Sequence, residues 1–128
     1  MSKKINLTPV ELELMEIVWK LGQGTVREVM AELPANRDLA YTSVSTILRI
    51  LEQKEILATE KIGKQHIYSP LVSKESFAIH SVEKIVNQAF SGRAVELVAY
   101  LVEKGELSLE EIAAIQKRLN AKKRELSE

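Results

Sequence analysis

Thr42, Thr46, Arg49 and Gln53 follow one another at intervals of four, three and four residues. At ~100° per residue they share one side of a helix. Small hydroxyls, a guanidinium and a carboxamide side by side can donate and accept hydrogen bonds in the patterns that base edges and phosphates present. The segment that carries them, Ala40 to Lys54, also has Val44, Ile47, Leu48 and Leu51 at i, i+3, i+4 and i+7, a stripe that must pack inward. Ser43 and Ser45 flank the polar side. An isolated helix of this kind more often just exposes a solvated face, so the flanking elements have to decide.

Upstream, Thr8-Pro9-Val10-Glu11 is a capping box with proline at the first helical position. Leu12, Met15, Ile17, Val18, Trp19 and Leu21 then predict a broad buried face that ends at Gly22. Trp19 is the one tryptophan and is read as core. Gln23-Gly24-Thr25 has room for a turn or a two-residue strand. A short helix from about Val26 to Leu33 follows, burying Val26, Val29, Met30 and Leu33 before Pro34 ends it. Ala35 to Leu39 is a turn-forming connection. Two short helices around a compact turn, the later one polar outside, form a helix-turn-helix.

After Lys54 the period changes from helix to strand. Leu57 to Ile62 and Gln65 to Pro70 read as two strands joined tightly by Gly63-Lys64. A hairpin behind a helix-turn-helix is a wing, and Lys61, Lys64 and His66 at and near its tip suit phosphates or a minor groove. His66 is as easily an idle surface histidine. Metal binding is not expected, because His80 is the only other histidine and no ligand cluster accompanies either.

In its order of elements the chain resembles the penicillinase-repressor family of bacterial regulators, the BlaI/MecI group. The resemblance rests on Leu7-Thr8 with Glu11 and Glu13-Leu14 leading to Ile17-Val18-Trp19, on Thr25-Val26-Arg27-Glu28-Val29, and on Leu39 through Leu48 with its Tyr41-Thr42-x-Val44-x-Thr46 core. It continues through Lys54, Ile56-Leu57 and Tyr68-Ser69-Pro70. It is strong from about Leu7 to Leu71 and holds beyond that in length and pattern. It implies a winged helix that binds double-stranded operator DNA as a homodimer and represses transcription. Thr42, Ser43 and Thr46 match positions where the family's recognition helix meets the major groove, and Lys61 and Lys64 lie on its wing. The family often has arginine where this chain has Ile50, with Arg49 one residue earlier, and glycine where it has Glu55.

The expected architecture is mainly α with a small β-hairpin wing: an N-terminal winged helix-turn-helix over 1–72 and a C-terminal three-helix dimerisation region over 73–128. The helix near 41–54 would lie in the major groove and the wing at 57–70 on the backbone. In the C-terminal third, Ser73-Lys74-Glu75-Ser76 opens a helix carrying Phe77, Val82, Ile85, Val86 and, at its end, Phe90. A second runs from about Arg93 to Lys104 with Leu97, Val98 and Leu101. A third is capped by Ser108-Leu109-Glu110-Glu111 and carries Ile112, Ile115 and Leu119. Three short helices this apolar make a thin core alone, so burial against a second copy is the economical solution. Folding back onto the wing domain is the alternative.

Charge does not advertise a nucleic-acid binder. Lysines plus arginines equal aspartates plus glutamates, 18 against 18; residues 1–72 hold nine of each and, by difference, 73–128 hold nine of each. Any DNA affinity must come from local segregation. The acids do gather at Glu11, Glu13, Glu16, Glu28 and Glu32, while Lys54, Lys61 and Lys64 follow the polar helix. Neutrality favours the competing reading, a winged-helix module that binds protein without binding DNA.

No apolar run approaches the ~20 residues that span a bilayer, the start lacks a signal peptide's apolar region, and cysteine is absent. A cytoplasmic protein without membrane insertion, disulfides or cofactor is expected. Catalysis has no support: Ser/His/acid combinations are scattered and Gly63-Lys64 lacks the rest of a phosphate loop. The resemblance implies release by a regulatory protease, in the antibiotic-resistance members between Asn and Phe. This chain has no Asn-Phe pair; its comparable stretch reads Val98-Ala99-Tyr100-Leu101. The copper-responsive relatives' paired cysteines are missing too. A protease of other preference and a small molecule both remain as releasing agents.

Overall fold

The computed structural model describes residues 5–128. The first four residues of the 1–72 segment, and with them part of the leader reading, lie outside the described residues. The order is α1 (Pro9–Leu21), α2 (Val26–Ala31), α3 (Tyr41–Gln53), β1 (Leu57–Ile62), β2 (Gln65–Pro70), α4 (Lys74–Ala89), α5 (Ala94–Lys104) and α6 (Leu109–Ser127). This is the mainly helical fold with a hairpin wing that the periodicities predict. By internal contact it forms two compact units, one ending at Val82 and one spanning Glu83–Glu128. Among the described residues no helix is long and apolar enough to cross a membrane.

Capping chemistry starts three of the helices. Thr8, Thr25 and Ser108 each accept from the backbone N–H three residues on, and Glu11, Glu28 and Glu111 return the bond to the cap's own N–H. Each box satisfies two donors that a helix start would otherwise leave open. Gly22, at φ 84°, closes α1 with its N–H on the Val18 carbonyl.

The end of α3 is a Schellman turn. The Ile56 N–H reaches the Leu51 carbonyl at 3.0 Å and the Glu55 N–H the Glu52 carbonyl at 2.9 Å, while Ile56 and Leu51 both enter the core. Glu55 occupies the left-handed position at φ 62°, which glycine adopts without a Cβ clash. Glu55→Gly is therefore expected to raise stability by about 1 kcal/mol, read as a higher urea midpoint with unchanged slope.

Leu14, Met15, Val18, Val29, Val44, Leu48, Leu51 and Leu57 are fully enclosed, joined by Val26, Ile56 and Tyr68. Burying each of the larger ones contributes roughly 1.5–3 kcal/mol. Two expectations for α1 need correction. Leu14, absent from the predicted face, lies at its centre, and Leu21 is exposed. The tightly packed stripe, Leu14, Met15 and Val18 with Glu11, is narrower than the run of apolar residues.

β1 and β2 pair antiparallel from Leu57↔Pro70 to Ile62↔Gln65, with Gly63 at φ 65° making the turn. Gly24 adds a bridge: its N–H donates to the Tyr68 carbonyl at 2.9 Å, and its carbonyl accepts from the Tyr68 N–H at 2.8 Å. The wing is thereby tied to the connection between α1 and α2. The Trp19 indole N–H donates to the Val72 carbonyl at 2.8 Å, its ring centroid lies 5.8 Å from that of Phe77, and Lys74 pairs with Glu16. These contacts fix the chain's exit from the wing and the first turn of α4.

In the second unit Val86 is buried and Phe90 packs against Tyr100 at 5.8 Å. Much of the apolar surface of α5 and α6 stays open: Val95, Val98, Leu101, Val102, Ile112 and Leu119 are all exposed.

Candidate nucleic-acid interface

Val44, Leu48 and Leu51 press α3 into the core, and that rotation turns its other side outward. Thr42, Ser43, Thr46, Arg49 and Gln53 are exposed and Ser45 half-buried. The Thr46 hydroxyl donates to the Thr42 carbonyl at 2.8 Å, which leaves its lone pairs free to accept. Lys61, Lys64 and His66 are exposed on the wing, with Lys61 directly across from His66.

The predicted residues divide between two surfaces. Thr42, Ser43 and Thr46, with Ile47, form one shallow open surface. Ser45 and Arg49 instead face Lys64 and His66 across a cleft between α3 and the wing. Gln53 and Lys61 line neither. Several residues of the cleft carried no separate signal in the sequence, among them Arg27 from α2, whose guanidinium carbon sits 5.3 Å from the centroid of the Tyr41 ring, and Tyr41 itself. That contact joins the starts of two different helices, and only the packing of α2 on α3 creates it. Tyr68 lies deep in the same cleft. Burial pushes its phenol pKa up, the Glu52 carboxylate pushes the same way, and Arg49 partly opposes both.

Lys54 is not part of this surface, contrary to the grouping of Lys54 with the wing lysines. Its ammonium donates to both oxygens of Glu11 at 2.8 and 2.9 Å and to the Asn6 carbonyl at 3.4 Å. Glu11 is 5% exposed, so it is an anchor for the end of α3 and not one of a solvated acidic cluster. At the other end of the turn Arg37 pairs with Glu13 at 2.8 Å. Burial alone would raise the Glu11 pKa, but the Lys54 hydrogen bonds and charge and the Thr8 bonds together hold it below its ordinary 4.5.

A depressed folded-state pKa means stability that is complete above 4.5 and lost as pH falls through the folded value. Lys54→Met removes a side chain that is 38% exposed from a carboxylate that is buried, and should cost about 1–2 kcal/mol at neutral pH. In thermal melts the gap between the two proteins should close as pH drops below 4.5.

The family model described as Penicillinase repressor matches residues 7–121. The chain belongs to the penicillinase-repressor family. Its members are transcriptional repressors, not enzymes. The methicillin resistance regulatory protein MecI of Mammaliicoccus sciuri is 26% identical over 121 residues, covering 94% of this chain and 98% of its own. A penicillinase repressor of Bacillus licheniformis is 27% identical over 112 residues, 88% of each chain. Among solved structures, the DNA-binding domain of the repressor BlaI matches 59% of this chain and 93% of its own at 28% identity and a TM-score of 0.52. Monomeric BlaI from B. licheniformis in complex with the blaP half-operator matches the same shares at 28% and 0.50. The family's winged helix is thus the fold observed here.

Proposed function

We propose that this chain is a transcriptional repressor that binds a palindromic operator as a homodimer, α3 in the major groove and the wing along the backbone. The observation that carries the reading is the outer face of α3, where Thr42, Ser43, Thr46, Arg49 and Gln53 stand exposed together on a helix seated by three buried residues. The BlaI relative in complex with its half-operator supports assigning the same role to this face. Ser45, Lys61, Lys64 and His66 complete the proposed contact set.

The working division is 1–72 for DNA and 73–128 for dimerisation. Its support is exposed apolar surface: Val82, Ile85, Val98, Leu101, Ile112, Ile115 and Leu119 are at least a third open, more than a soluble helix pair needs to leave uncovered. Leu97 is half-buried and joins the proposed interface by its position on α5, whereas Phe77, Val86 and Phe90 already have cover within the chain. Two reading heads on one duplex gain by linkage what one head lacks. The place of action is the bacterial cytoplasm, and release by a regulatory protease would need a bond other than Asn-Phe.

Salt dependence separates this from the protein-binding alternative. With 6–10 phosphates contacted per dimer, affinity for the operator should fall by roughly a thousandfold or more between 50 and 200 mM salt. Selection of bound duplexes from a random pool supplies the operator for that titration. Recovery of no enriched duplex at low salt would refute the DNA reading.

A further inference from the structure

We propose that the cleft between α3 and the wing binds a small oxyanion, a carboxylate or phosphate compound, and that its occupant and DNA exclude one another. The exclusion, though not the anion binding, rests on the DNA reading above.

The cleft is partly open to solvent and offers about 270 Å³, well above the ~15 Å³ that a single water needs. Three elements send cations to it: Arg27 from α2, Arg49 from α3 and Lys64 from the wing, with Glu52 as the single acid. The hydroxyl of Thr59 in its lining is buried and makes no hydrogen bond. A buried hydroxyl without a partner is costly, and the proposal places an acceptor atom of the ligand against it. Tyr68, also buried, offers a second hydroxyl in the same lining. A phosphate on a duplex backbone needs the rim cations alone. The recessed Thr59 hydroxyl and the Glu52 acceptor suit a free molecule that carries an acid group and a hydrogen-bond donor.

Arg27 is held ready by its contact with the Tyr41 ring. Arg49 and Lys64 would be claimed by either ligand, so one site cannot serve both at once. Small-molecule binding at this place would lift the wing and α3 off the backbone by competition, with no change of fold.

The test uses the full chain and two probes, inorganic phosphate and malate, each at constant ionic strength set with sodium chloride. Amide NMR should show saturable shifts at Arg27, Arg49, Thr59 and Lys64 that chloride alone does not produce. Thr59→Val should weaken the better probe roughly tenfold, the size of one hydrogen bond to a charged group. Its melting temperature should hold or rise, because an unsatisfied hydroxyl is gone. Arg27→Ala, at an exposed position, should weaken the probe at least as much.

Linear shifts identical to those with chloride, or equal affinity in wild type and both variants, would overturn the site. In the competition arm, duplex affinity of the wild type should fall as the cleft saturates, while Thr59→Val binds duplex normally and resists the probe. Duplex binding indifferent to a saturated cleft overturns the exclusion. Saturable anion binding by a chain that binds no duplex upholds the site and refutes the DNA reading instead.

Discussion

Replacing Thr46 and Arg49 together by alanine is expected to weaken operator binding at least a hundredfold while leaving the fold intact. Each base-edge contact discriminates by about 1–3 kcal/mol, so two lost contacts remove roughly 2–6 kcal/mol from each reading head. The fold should barely register the change, within about 0.5 kcal/mol. Both residues are exposed, and the one bond Thr46 is seen to make runs back to a carbonyl of its own helix. Such bonds add little to a helix, and alanine is a better helix former than threonine. Fluorescence anisotropy on a labelled operator and a thermal melt check the two halves separately. Wild-type affinity in the double variant would mean that some other surface reads the DNA.

Leu101→Asp should turn the proposed dimer into a monomer. Leu101 is 49% exposed in the single chain, so an aspartate there stays hydrated and costs the monomer little. Covered by the apolar surface of a second copy, the same carboxylate would be stripped of water, and an unpaired buried charge costs several kcal/mol. The dimer dissociation constant should rise by roughly a hundredfold or more. Operator binding should fall with it, since each monomer then meets the duplex alone. Sedimentation equilibrium is the direct measurement, and an unchanged dimer would place Leu101 outside the interface.

The two variants separate reading from pairing. The first should remain dimeric and lose DNA; the second should lose DNA because it is no longer dimeric, and a covalently linked tandem of the Leu101→Asp chain should regain much of it. That recovery is expected because linkage restores the effective concentration without restoring the helix contacts.

Local chemistry made most of the fold legible in the amino-acid order. The caps at Thr8, Thr25 and Ser108, the stripe Val44-Ile47-Leu48-Leu51 and the strands on either side of Gly63-Lys64 all depend on residues within a few positions of one another. A helix start or a two-residue turn is decided by such neighbours, and the outward polar face of α3 follows once its apolar stripe is known. Tertiary structure alone decided the rest. It buried Glu11 and spent Lys54 on it across 43 positions of chain, removing one lysine from the basic set. It centred Leu14 in the core, brought Arg27 over Tyr41, buried the Thr59 hydroxyl and set Thr59, Arg49 and Lys64 around one cleft. A lysine reads as a solvated cation and a threonine as an ordinary strand residue until the element packed against it is known. The energies of burial and pairing belong to the surroundings of a side chain, not to its type.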